Sequence, residues 1–251
     1  GNELGGLASL ISRIPAKNRL ADFPHYLMHR AEQLENLYIF KNTEGTPENI
    51  RKFHPNIIVS STGSAPLLPP ITGLKDRIDN ENYNIYSILG MISHINDFPK
   101  DLEGKKVVVV GGGAVGLDVV EFFADRNADI SIVEMMDQIG RDLDPVSKND
   151  TKTMMKKHNV HQLTKTALLE VKDSSFLVKG DGEPYELPFE YGFVCLGMRA
   201  QGQLYQNLTE EFSSEDVEIM NIGDSQRARR IIDGTQEGRN ILTILEQRGY
   251  L

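Results

Sequence analysis

A glycine-rich turn between two apolar runs is the stretch of this chain whose residue types could do chemistry. Four valines, 107–110, lead into Gly111, and Gly113 and Gly116 follow at the spacing G-x-G-x-x-G. In such a turn the first glycine permits a sharp bend and the second lets the backbone approach a pyrophosphate. The third lets the following helix pack closely on the strand. Glu134 ends the next apolar run, where a carboxylate can accept hydrogen bonds from ribose hydroxyls.

The context of the turn decides between a dinucleotide site and a turn that binds nothing. A lone glycine motif is a weak signal, but here the strand, the amphipathic run and the acid all stand at the expected spacing. The carboxylate of Glu134 would repel a 2′-phosphate, and Met135 and Met136 follow it without an adjacent Arg. The pattern therefore predicts NAD(H) rather than NADP(H). The predicted contacts are Gly111, Gly113, Ala114, Val115, Gly116 and Glu134, with Gly197 near the nicotinamide end.

Composition excludes several classes of partner. The chain has 251 residues, a net charge of −9 and 39% hydrophobic residues, which is ordinary for a globular protein. The negative charge argues against nucleic acid or an anionic membrane as the main partner. No apolar run approaches the roughly 20 residues of a membrane span. Cys195 is the one cysteine, so an internal disulfide and a cysteine-held iron–sulfur cluster are excluded, and a cytoplasmic setting is expected.

Hydrophobic periodicity predicts alternating strands and helices around the turn. A helix is expected from Leu117 to Ala124, and Ile130 begins the next strand. Further on we expect a helix over 146–159, a strand over 160–163, an antiparallel meander over 166–188 and a buried strand over 192–197. Residues 104–199 would then form one α/β unit.

The flanking segments are less regular. The pattern predicts irregular structure over 1–20, a helix over 23–37, strands over 38–40, 57–61 and 217–222, and a helix over 231–247. Residues 66–104 are expected to be a link. His25 and His29 are four apart, as zinc ligands often are, but the adjacent Glu and the third ligand of that pattern are missing. We therefore predict a surface or packed histidine pair and no metal site.

Taken together, the motifs resemble a known family. The match uses Gly5-Gly6, the strand end at 61–66, the unit from Val110 to Glu134, the loop at 141–145 and the late motif at 222–224. These resemble the carboxy-terminal FAD- and NAD-binding region of NADH:flavin oxidoreductases related to 2,4-dienoyl-CoA reductase, trimethylamine dehydrogenase and enoate reductases. That region belongs to the pyridine nucleotide-disulfide oxidoreductase-like superfamily.

The resemblance implies a fold and a second set of ligand contacts. It implies an α/β fold in which a Rossmann-like NAD-binding domain, 104–199, is inserted in a truncated FAD-binding domain, 1–103 with 200–251. The first βαβ unit of the flavin domain is absent, and Gly5-Gly6 resembles its trailing edge. The implied flavin contacts are Thr62, Gly63, Gly223 and Asp224. Asp118 stands where related reductases carry a glutamate near the nicotinamide carboxamide; a solvent-exposed helix acid is the alternative.

The resemblance also implies a function. The chain, which begins at Gly1 rather than Met, would be a piece of a longer cytoplasmic oxidoreductase through which electrons enter. Hydride would pass from NADH to FAD, and electrons would then move on to a cofactor in an upstream part that is absent here. In the full-length family that part is a barrel domain with FMN and an iron–sulfur cluster. No acid–base catalyst is assigned. The fragment alone is expected to bind NADH weakly and to lack tightly bound FAD.

Two alternatives stay open. The chain could be a non-catalytic NAD-binding or docking module. It could also belong to a simple NADH oxidase or ferredoxin-type reductase without a barrel.

Overall fold

The computed structural model describes residues 3–250 and divides them into two compact units. The first unit comprises the described residues of 3–7, 22–65 and 198–250. The second comprises 8–21 and 66–197. The predicted α/β class is confirmed, because helices alternate with a mainly parallel sheet.

The bounds of the elements are as follows. The α-helices are α1 (Gly6–Ile11), α2 (Asp22–Glu32), α3 (Pro47–Arg51), α4 (Leu74–Arg77), α5 (Ile88–Ser93), α6 (Ala114–Ala124), α7 (Pro145–Lys157), α8 (Gln203–Glu211) and α9 (Ile231–Gln247). Short 3-10 helices occupy Pro15–Ala21 and Gly223–Ser225. The strands are β1 (Ile57–Ser60), β2 (Ser64–Pro66), β3 (Ile85–Tyr86), β4 (Lys106–Val110), β5 (Asp129–Val133), β6 (His161–Leu163), β7 (Ala167–Val171), β8 (Ser175–Lys179), β9 (Tyr185–Pro188), β10 (Tyr191–Val194), β11 (Met198–Ala200) and β12 (Glu218–Asn221).

A parallel five-stranded sheet in the order β3-β10-β4-β5-β6 is the centre of the second unit. β4 is in register with both neighbours, so that Val110 is paired with Val133 on one side and with Val194 on the other. The carboxyl ends of these three strands therefore meet at one edge of the sheet. The valines of 107–110 are all buried, which explains why this strand is a continuous apolar run rather than an alternating one.

Both faces of that sheet are covered. α6 packs on one face, against β4, β5 and β10. On the other face Val108 and Val110 share a core cluster with Phe176 and Val178, which belong to the antiparallel sheet β7-β8-β9. The predicted antiparallel meander is confirmed. The glycine turn thus leaves a strand whose position is fixed from both sides.

The first unit contains a smaller sheet, in which β1 and β12 are parallel. Ser60 is paired with Asn221, so the residues that follow both strands lie at the same edge. On this pair of strands, Ile58 packs in a cluster with Leu208 and Phe212. Within residues 3–250 no third strand joins the sheet, and Val59 is 38% exposed.

Three flanking segments differ from the sequence-based prediction. The strand predicted over 38–40 is wrong: Tyr38 and Phe40 are exposed, and no strand of the described chain pairs with them. The helix predicted over 23–37 ends at Glu32. Residues 1–20 were expected to be irregular, but their described part contains α1 and the start of the 3-10 helix Pro15–Ala21.

The predicted boundary between residues 103 and 104 lies inside the second unit, whose main segment begins at Pro66. β3 adds to the parallel sheet by pairing with β10, and Ile85 and Met91 are fully buried. This segment was expected to be a link, because a strand of two residues and two short helices leave little periodicity to detect. Which cofactor belongs to each range stays a prediction.

No helix within residues 3–250 is both long enough and apolar enough to cross a membrane.

Candidate functional site

Gly111 makes the turn at the end of β4 possible. Its φ is +109°, a region that side chains other than glycine rarely adopt. A Cβ atom at this position would lie 2.2 Å from the carbonyl oxygen of Cys195. The backbone at the end of the neighbouring strand β10 therefore occupies the space that a side chain would need. Only glycine allows the turn to be this tight.

Gly113 and Gly116 fix the start of α6 in different ways. A Cβ atom on Gly113 would meet nothing within 4 Å, so there is open space beside the backbone here. Gly113 is also the N-cap of α6, and no side chain caps the helix, which leaves the first helical N–H groups available to an anion. At Gly116 a Cβ atom would lie 1.9 Å from the carbonyl oxygen of Gly111, so this glycine permits direct packing of the helix on the turn.

The carboxylate of Glu134 is turned toward the glycine turn. Its Oε2 accepts a hydrogen bond from the backbone N–H of Gly112 at 2.6 Å, and its Oε1 accepts one from Met136 N–H at 2.7 Å. The side chain is half-buried. Each carboxylate oxygen can accept more than one hydrogen bond, so both retain capacity for ribose hydroxyl donors.

The glycine turn and Glu134 open on one cavity of about 590 Å³. Its wall includes the predicted contacts Gly111, Gly113, Ala114, Val115, Glu134 and Gly197. Gly197 has a φ of +102° and no atom within 4 Å of a Cβ position. Gly116 does not line the cavity in the described chain, because it faces the strand. Most of the remaining wall is apolar, with Ile71, Val133 and Leu168 among its side chains, and Asp142 and Thr166 also line it.

Lys17, which sequence reasoning missed, lies beside α6. Its Nζ is 3.0 Å from Asp118 Oδ1 and 3.4 Å from Glu121 Oε2. Burial raises the pKa of the Asp118 carboxyl, and Lys17 partly opposes that rise. Burial by itself would lower the pKa of the Lys17 ammonium, but the two carboxylates outweigh it and the pKa is raised. Asp118 is therefore a half-buried, ion-paired acid and not the solvent-exposed acid of the alternative prediction.

These three residues line a second cavity, of about 360 Å³, together with side chains of α7. Ala114 belongs to the walls of both cavities, so the first turn of α6 contributes to both. No motif or periodicity connects Lys17 to α6, and only the fold brings them together.

Cys195 is a packed, unreactive thiol. Burial raises its pKa to about 12, so the thiol is protonated at neutral pH and is neither a nucleophile nor a redox group. The prediction that it serves as a small hydrophobe agrees with its burial.

The four predicted flavin contacts lie in the first unit, at the edge where β1 and β12 end. The Thr62 hydroxyl donates to the carbonyl oxygen of Gln201 at 2.5 Å. Gly63 has a φ of +76° and open space beside it. Asp224 Oδ2 accepts from the Ser64 hydroxyl at 3.0 Å, which connects the two strand ends directly.

Gly223 is hydrogen-bonded to Glu237, a residue that the sequence did not indicate. Its backbone N–H donates to Glu237 Oε2 at 2.6 Å, and Glu237 is ion-paired with Arg229. The N–H of Arg229 in turn donates to Asp224 Oδ1 at 3.0 Å. Several polar groups at this edge thus already have partners within the unit.

The two edges fit nucleotide ligands to different degrees. The turn of the second unit offers open space at Gly113, uncapped helical N–H groups and a carboxylate, which is what a dinucleotide requires. The edge of the first unit offers open backbone at Gly63, but the N–H of Gly223 is engaged by Glu237. One backbone donor of this edge is thus already occupied within the unit.

No group of three or more His, Cys, Asp or Glu residues that could hold a metal ion occurs between residues 3 and 250. His29 instead lies 3.1 Å from the side-chain amide of Gln33, on an exposed surface.

Comparison with known proteins identifies relatives of the whole region. The sequence profile of the family described as pyridine nucleotide-disulphide oxidoreductase matches residues 34–220. A metal reductase of Desulforamulus reducens is 26% identical over 95% of this chain and 38% of its own length. An NADH oxidase of Thermoanaerobacter brockii is 25% identical over 94% of this chain and 35% of its own length. A bilirubin reductase of Mediterraneibacter gnavus is 25% identical, with coverages of 94% and 34%.

Solved structures share the fold. A 2-naphthoyl-CoA reductase complex matches with a TM-score of 0.78 and 21% identity, over 95% of this chain and 34% of the other. Histamine dehydrogenase from Rhizobium sp. 4-9 matches with a TM-score of 0.77 and 14% identity, over 95% and 37%. This chain therefore spans little more than a third of the length of each of these relatives. The predicted resemblance to the carboxy-terminal nucleotide-binding region of such reductases is confirmed.

Proposed function

Because the chain belongs to the pyridine nucleotide-disulphide oxidoreductase family, we propose that it is the part of an NADH-dependent flavoprotein oxidoreductase through which electrons enter. In this proposal NADH supplies a hydride and FAD accepts it, before the electrons pass to a cofactor elsewhere in a longer protein. The observation that carries the proposal is the cavity of about 590 Å³ whose wall contains both the glycine turn and Glu134.

The glycine turn would hold the diphosphate of the nucleotide. The open side of Gly113 admits phosphate oxygens to the backbone. The uncapped N-terminus of α6 supplies N–H donors and the positive end of a helix dipole. In the described wall of this cavity there is no basic side chain, so these backbone groups carry the recognition of the phosphate charge.

Glu134 would hold the adenosine ribose. The carboxylate already accepts hydrogen bonds from the N–H groups of Gly112 and Met136, which fix it beside the glycine turn. A ribose with free 2′- and 3′-hydroxyls can donate to it, whereas a 2′-phosphate would bring negative charge against it. NADH is therefore the proposed nucleotide.

The resemblance implies that Asp118 lies near the nicotinamide carboxamide, where related reductases carry a glutamate. The ion pair with Lys17 holds the Asp118 side chain on the second turn of α6, but Asp118 lines the second cavity and does not belong to the described wall of the nucleotide cavity. We therefore propose no contact between this residue and the nicotinamide. We assign no acid–base step to either residue.

The first unit would contribute to flavin binding through Thr62, Gly63, Gly223 and Asp224. This part of the proposal is supported by their common position at the carboxyl edge of β1 and β12, where ligands of open α/β sheets bind. Within residues 3–250 the first unit contains no strand–glycine turn–helix element of its own. Tight binding of FAD by this chain alone is therefore not expected.

Titration calorimetry with the 251-residue chain tests the nucleotide assignments. NADH should bind with a dissociation constant above about 10 μM, equivalent to about −7 kcal/mol or weaker. FAD should show no tight binding. Sub-micromolar binding of FAD would contradict the account of the first unit, and an absence of NADH binding at millimolar concentration would contradict the proposed function.

The longer protein tests the electron transfer. Upstream of these residues we propose a barrel domain with FMN and an iron–sulfur cluster, in the cytoplasm. The purified protein should contain flavin and oxidise NADH. A colourless protein that does not react with NADH would instead favour a non-catalytic NAD-binding or docking module. A barrel-free upstream sequence would favour a simple NADH oxidase or ferredoxin-type reductase.

A further inference from the structure

We propose that Glu237 is an internal competitor for an oxyanion site in the first unit. The site consists of the backbone N–H of Gly223 and the guanidinium of Arg229, and both of these groups hold the Glu237 carboxylate. A phosphate group, either of a nucleotide or free in solution, would take its place. The inference deepens the proposed function and rests on it, because Gly223 is one of the candidate flavin contacts.

Two donors meet on one carboxylate at this site. The N–H of Gly223 donates to Glu237 Oε2 at 2.6 Å, and a guanidinium N–H of Arg229 donates to Oε1. The pKa of the Glu237 carboxyl is lowered, first by the hydrogen bond from Arg229 and next by that from Gly223, so both donors stabilise negative charge. Arginine and backbone N–H groups are also the donors that proteins use for phosphate oxygens. Since both touch the same carboxylate, they are close enough together to hold a phosphate group at the same point.

The turn that carries both donors is fixed by other hydrogen bonds. Asp224 Oδ1 accepts from the N–H of Arg229, and its Oδ2 accepts from the Ser64 hydroxyl, both at 3.0 Å. Arg229 Nε donates to the carbonyl oxygen of Arg227 at 3.2 Å, which orients the guanidinium. None of these bonds involves Glu237, so the two donors should keep their places when its carboxylate leaves.

A contact between two glycines brings Glu237 to this turn. A Cβ atom on Gly234, near the start of α9, would lie 3.5 Å from the Cα of Gly223, so the helix backbone lies against the turn. Glu237 is three residues further along α9 and therefore lies on the same face of the helix. The side chains of Glu237 and Arg229 are 27% and 29% exposed, so a small anion in solution can reach the pair.

The charges of the segment 223–237 favour a negative group at this point. The segment contains three arginines and three acids. Two of the acids, Asp224 and Asp233, also act on Arg229, but they accept hydrogen bonds from backbone N–H groups of the turn and of the helix start. Without the charge of Glu237 the segment has one positive charge in excess, which favours the binding of a phosphate.

Glu237 keeps the site closed because it belongs to the same chain. A group that is tethered beside its site competes at a high effective concentration, so a small free anion displaces it poorly. A flavin nucleotide that also contacts the open backbone at Gly63 gains additional binding energy with which to displace it. Oxyanion binding at this edge is therefore blocked in the wild type and should appear when the carboxylate is removed.

The test is a titration of inorganic pyrophosphate into the isotope-labelled full chain, followed by NMR at the amide of Gly223 with the ionic strength held constant. Glu237→Ala should bind pyrophosphate at least about tenfold more tightly than the wild type, because two charge-assisted donors become available. Glu237→Gln keeps an acceptor for the N–H of Gly223 but loses the charge, so its gain should be smaller. The Gln variant also decides the result if the Ala variant fails to fold.

Two further variants serve as controls. Arg229→Met combined with Glu237→Ala should abolish the gain, because one of the two donors is lost. Glu246→Gln removes an exposed acid from the far end of α9 and should leave pyrophosphate binding as weak as in the wild type.

FAD and riboflavin distinguish the two sources of the phosphate in the same titration. FAD should gain affinity in Glu237→Ala, whereas riboflavin, which has no phosphate, should not. A gain for pyrophosphate without one for FAD upholds the oxyanion site and assigns it to free phosphate.

The outcomes also separate this inference from the proposed function. If NADH binds but neither Glu237 variant binds pyrophosphate more tightly than the wild type, the inference is wrong and the proposed function stands. A gain that survives the loss of Arg229 likewise overturns the inference. If the variants gain pyrophosphate binding while the wild type does not bind NADH, the oxyanion site stands and the proposed function falls.

Discussion

The Glu134 carboxylate has a structural task in addition to its proposed role with the ribose. It accepts hydrogen bonds from the N–H groups of Gly112 and Met136 and so holds the glycine turn and the following loop together. A buried or half-buried N–H that loses its acceptor costs free energy. Any substitution of Glu134 will therefore act on folding as well as on binding, and the two effects have to be measured separately.

Glu134→Ala is expected to weaken NADH binding about tenfold, or about 1.4 kcal/mol, because the ribose loses its acceptor. NADPH should be affected less, since removal of the charge also removes a repulsion. Calorimetry gives both affinities, and urea unfolding gives the accompanying loss of stability. Glu183→Ala, an exposed acid outside the cavity, is the control. Equal losses for both nucleotides would argue against the ribose role.

Lys17→Met is expected to raise the pKa of Asp118 further, because Lys17 is the group that lowers it while burial raises it. A raised folded pKa means that the folded state holds the proton more tightly. The contribution of Asp118 to stability is therefore fully present below the ordinary aspartate pKa and is lost as pH rises through the folded pKa. In the variant this loss should continue to higher pH.

The carboxyl signal of Asp118, followed by NMR, measures that pKa directly. Lys172→Met removes a different ion pair, with Glu186 on the antiparallel sheet, and should leave Asp118 unchanged. An Asp118 pKa that falls or stays constant in Lys17→Met would show that the ion pair does not control it.

At the scale of elements, the helices and strands that could be predicted are those whose residue pattern is unbroken along the sequence. β4, the glycine turn, α6 and β5 follow one another with a strong pattern, and α9 occupies the predicted range 231–247. The strand predicted for 38–40 failed because apolar residues there have no neighbouring strand in the described chain. α8 was missed because its segment, 203–211, is largely polar.

The candidate site divides in the same way. Glu134 could be predicted because a motif links it to Gly111 at a fixed distance along the chain. Lys17 could not, because its contact with Asp118 depends on how 8–21 pack in the second unit. The position of the loop after β5 depends on the hydrogen bond from Gly140 N–H to the carbonyl oxygen of Gly112, which no spacing rule describes.

Gly116→Ala tests the packing of α6 on the turn. The new methyl group would lie 1.9 Å from the carbonyl oxygen of Gly111, a backbone atom that cannot rotate away. We expect a destabilisation of about 3 kcal/mol despite the better helix propensity of Ala. Gly182→Ala, where a Cβ meets nothing within 4 Å, should change stability by less than about 0.5 kcal/mol. Urea unfolding of both variants measures the difference; a similar, small effect at the two sites would contradict the packing role.

At the scale of the molecule, the two units are unequal in their cores. The second unit has a five-stranded sheet that is covered on both faces. The described part of the first unit has the pair β1-β12, and one face of that pair is more exposed, as Val59 shows. A two-stranded sheet has little stability of its own. The first unit should therefore open locally at lower free energy than the second.

Hydrogen exchange measures this difference across the whole chain. Amides of β4 and β5 should exchange slowest, and those of β1 and β12 clearly faster. Fewer buried contacts have to be broken to open β1 and β12, so their opening free energy is lower. The amides of α6 and α8 provide a matched comparison of one helix in each unit. Equal protection of the two sheets would show that the chain unfolds only as one cooperative body. Bound NADH should slow exchange in the second unit.

The buried Cys195 gives the protein a built-in reporter. It is the single cysteine of the sequence, it lies in the wall of the nucleotide cavity, and its pKa of about 12 keeps the thiol unreactive while the strand end is closed. An alkylating reagent should label it slowly in the folded protein, because the residue is buried, and faster in molecules whose second unit has opened. NADH should slow the labelling further, because a ligand in the cavity covers its wall, so the labelling rate would report binding without any dye, tag or mutation.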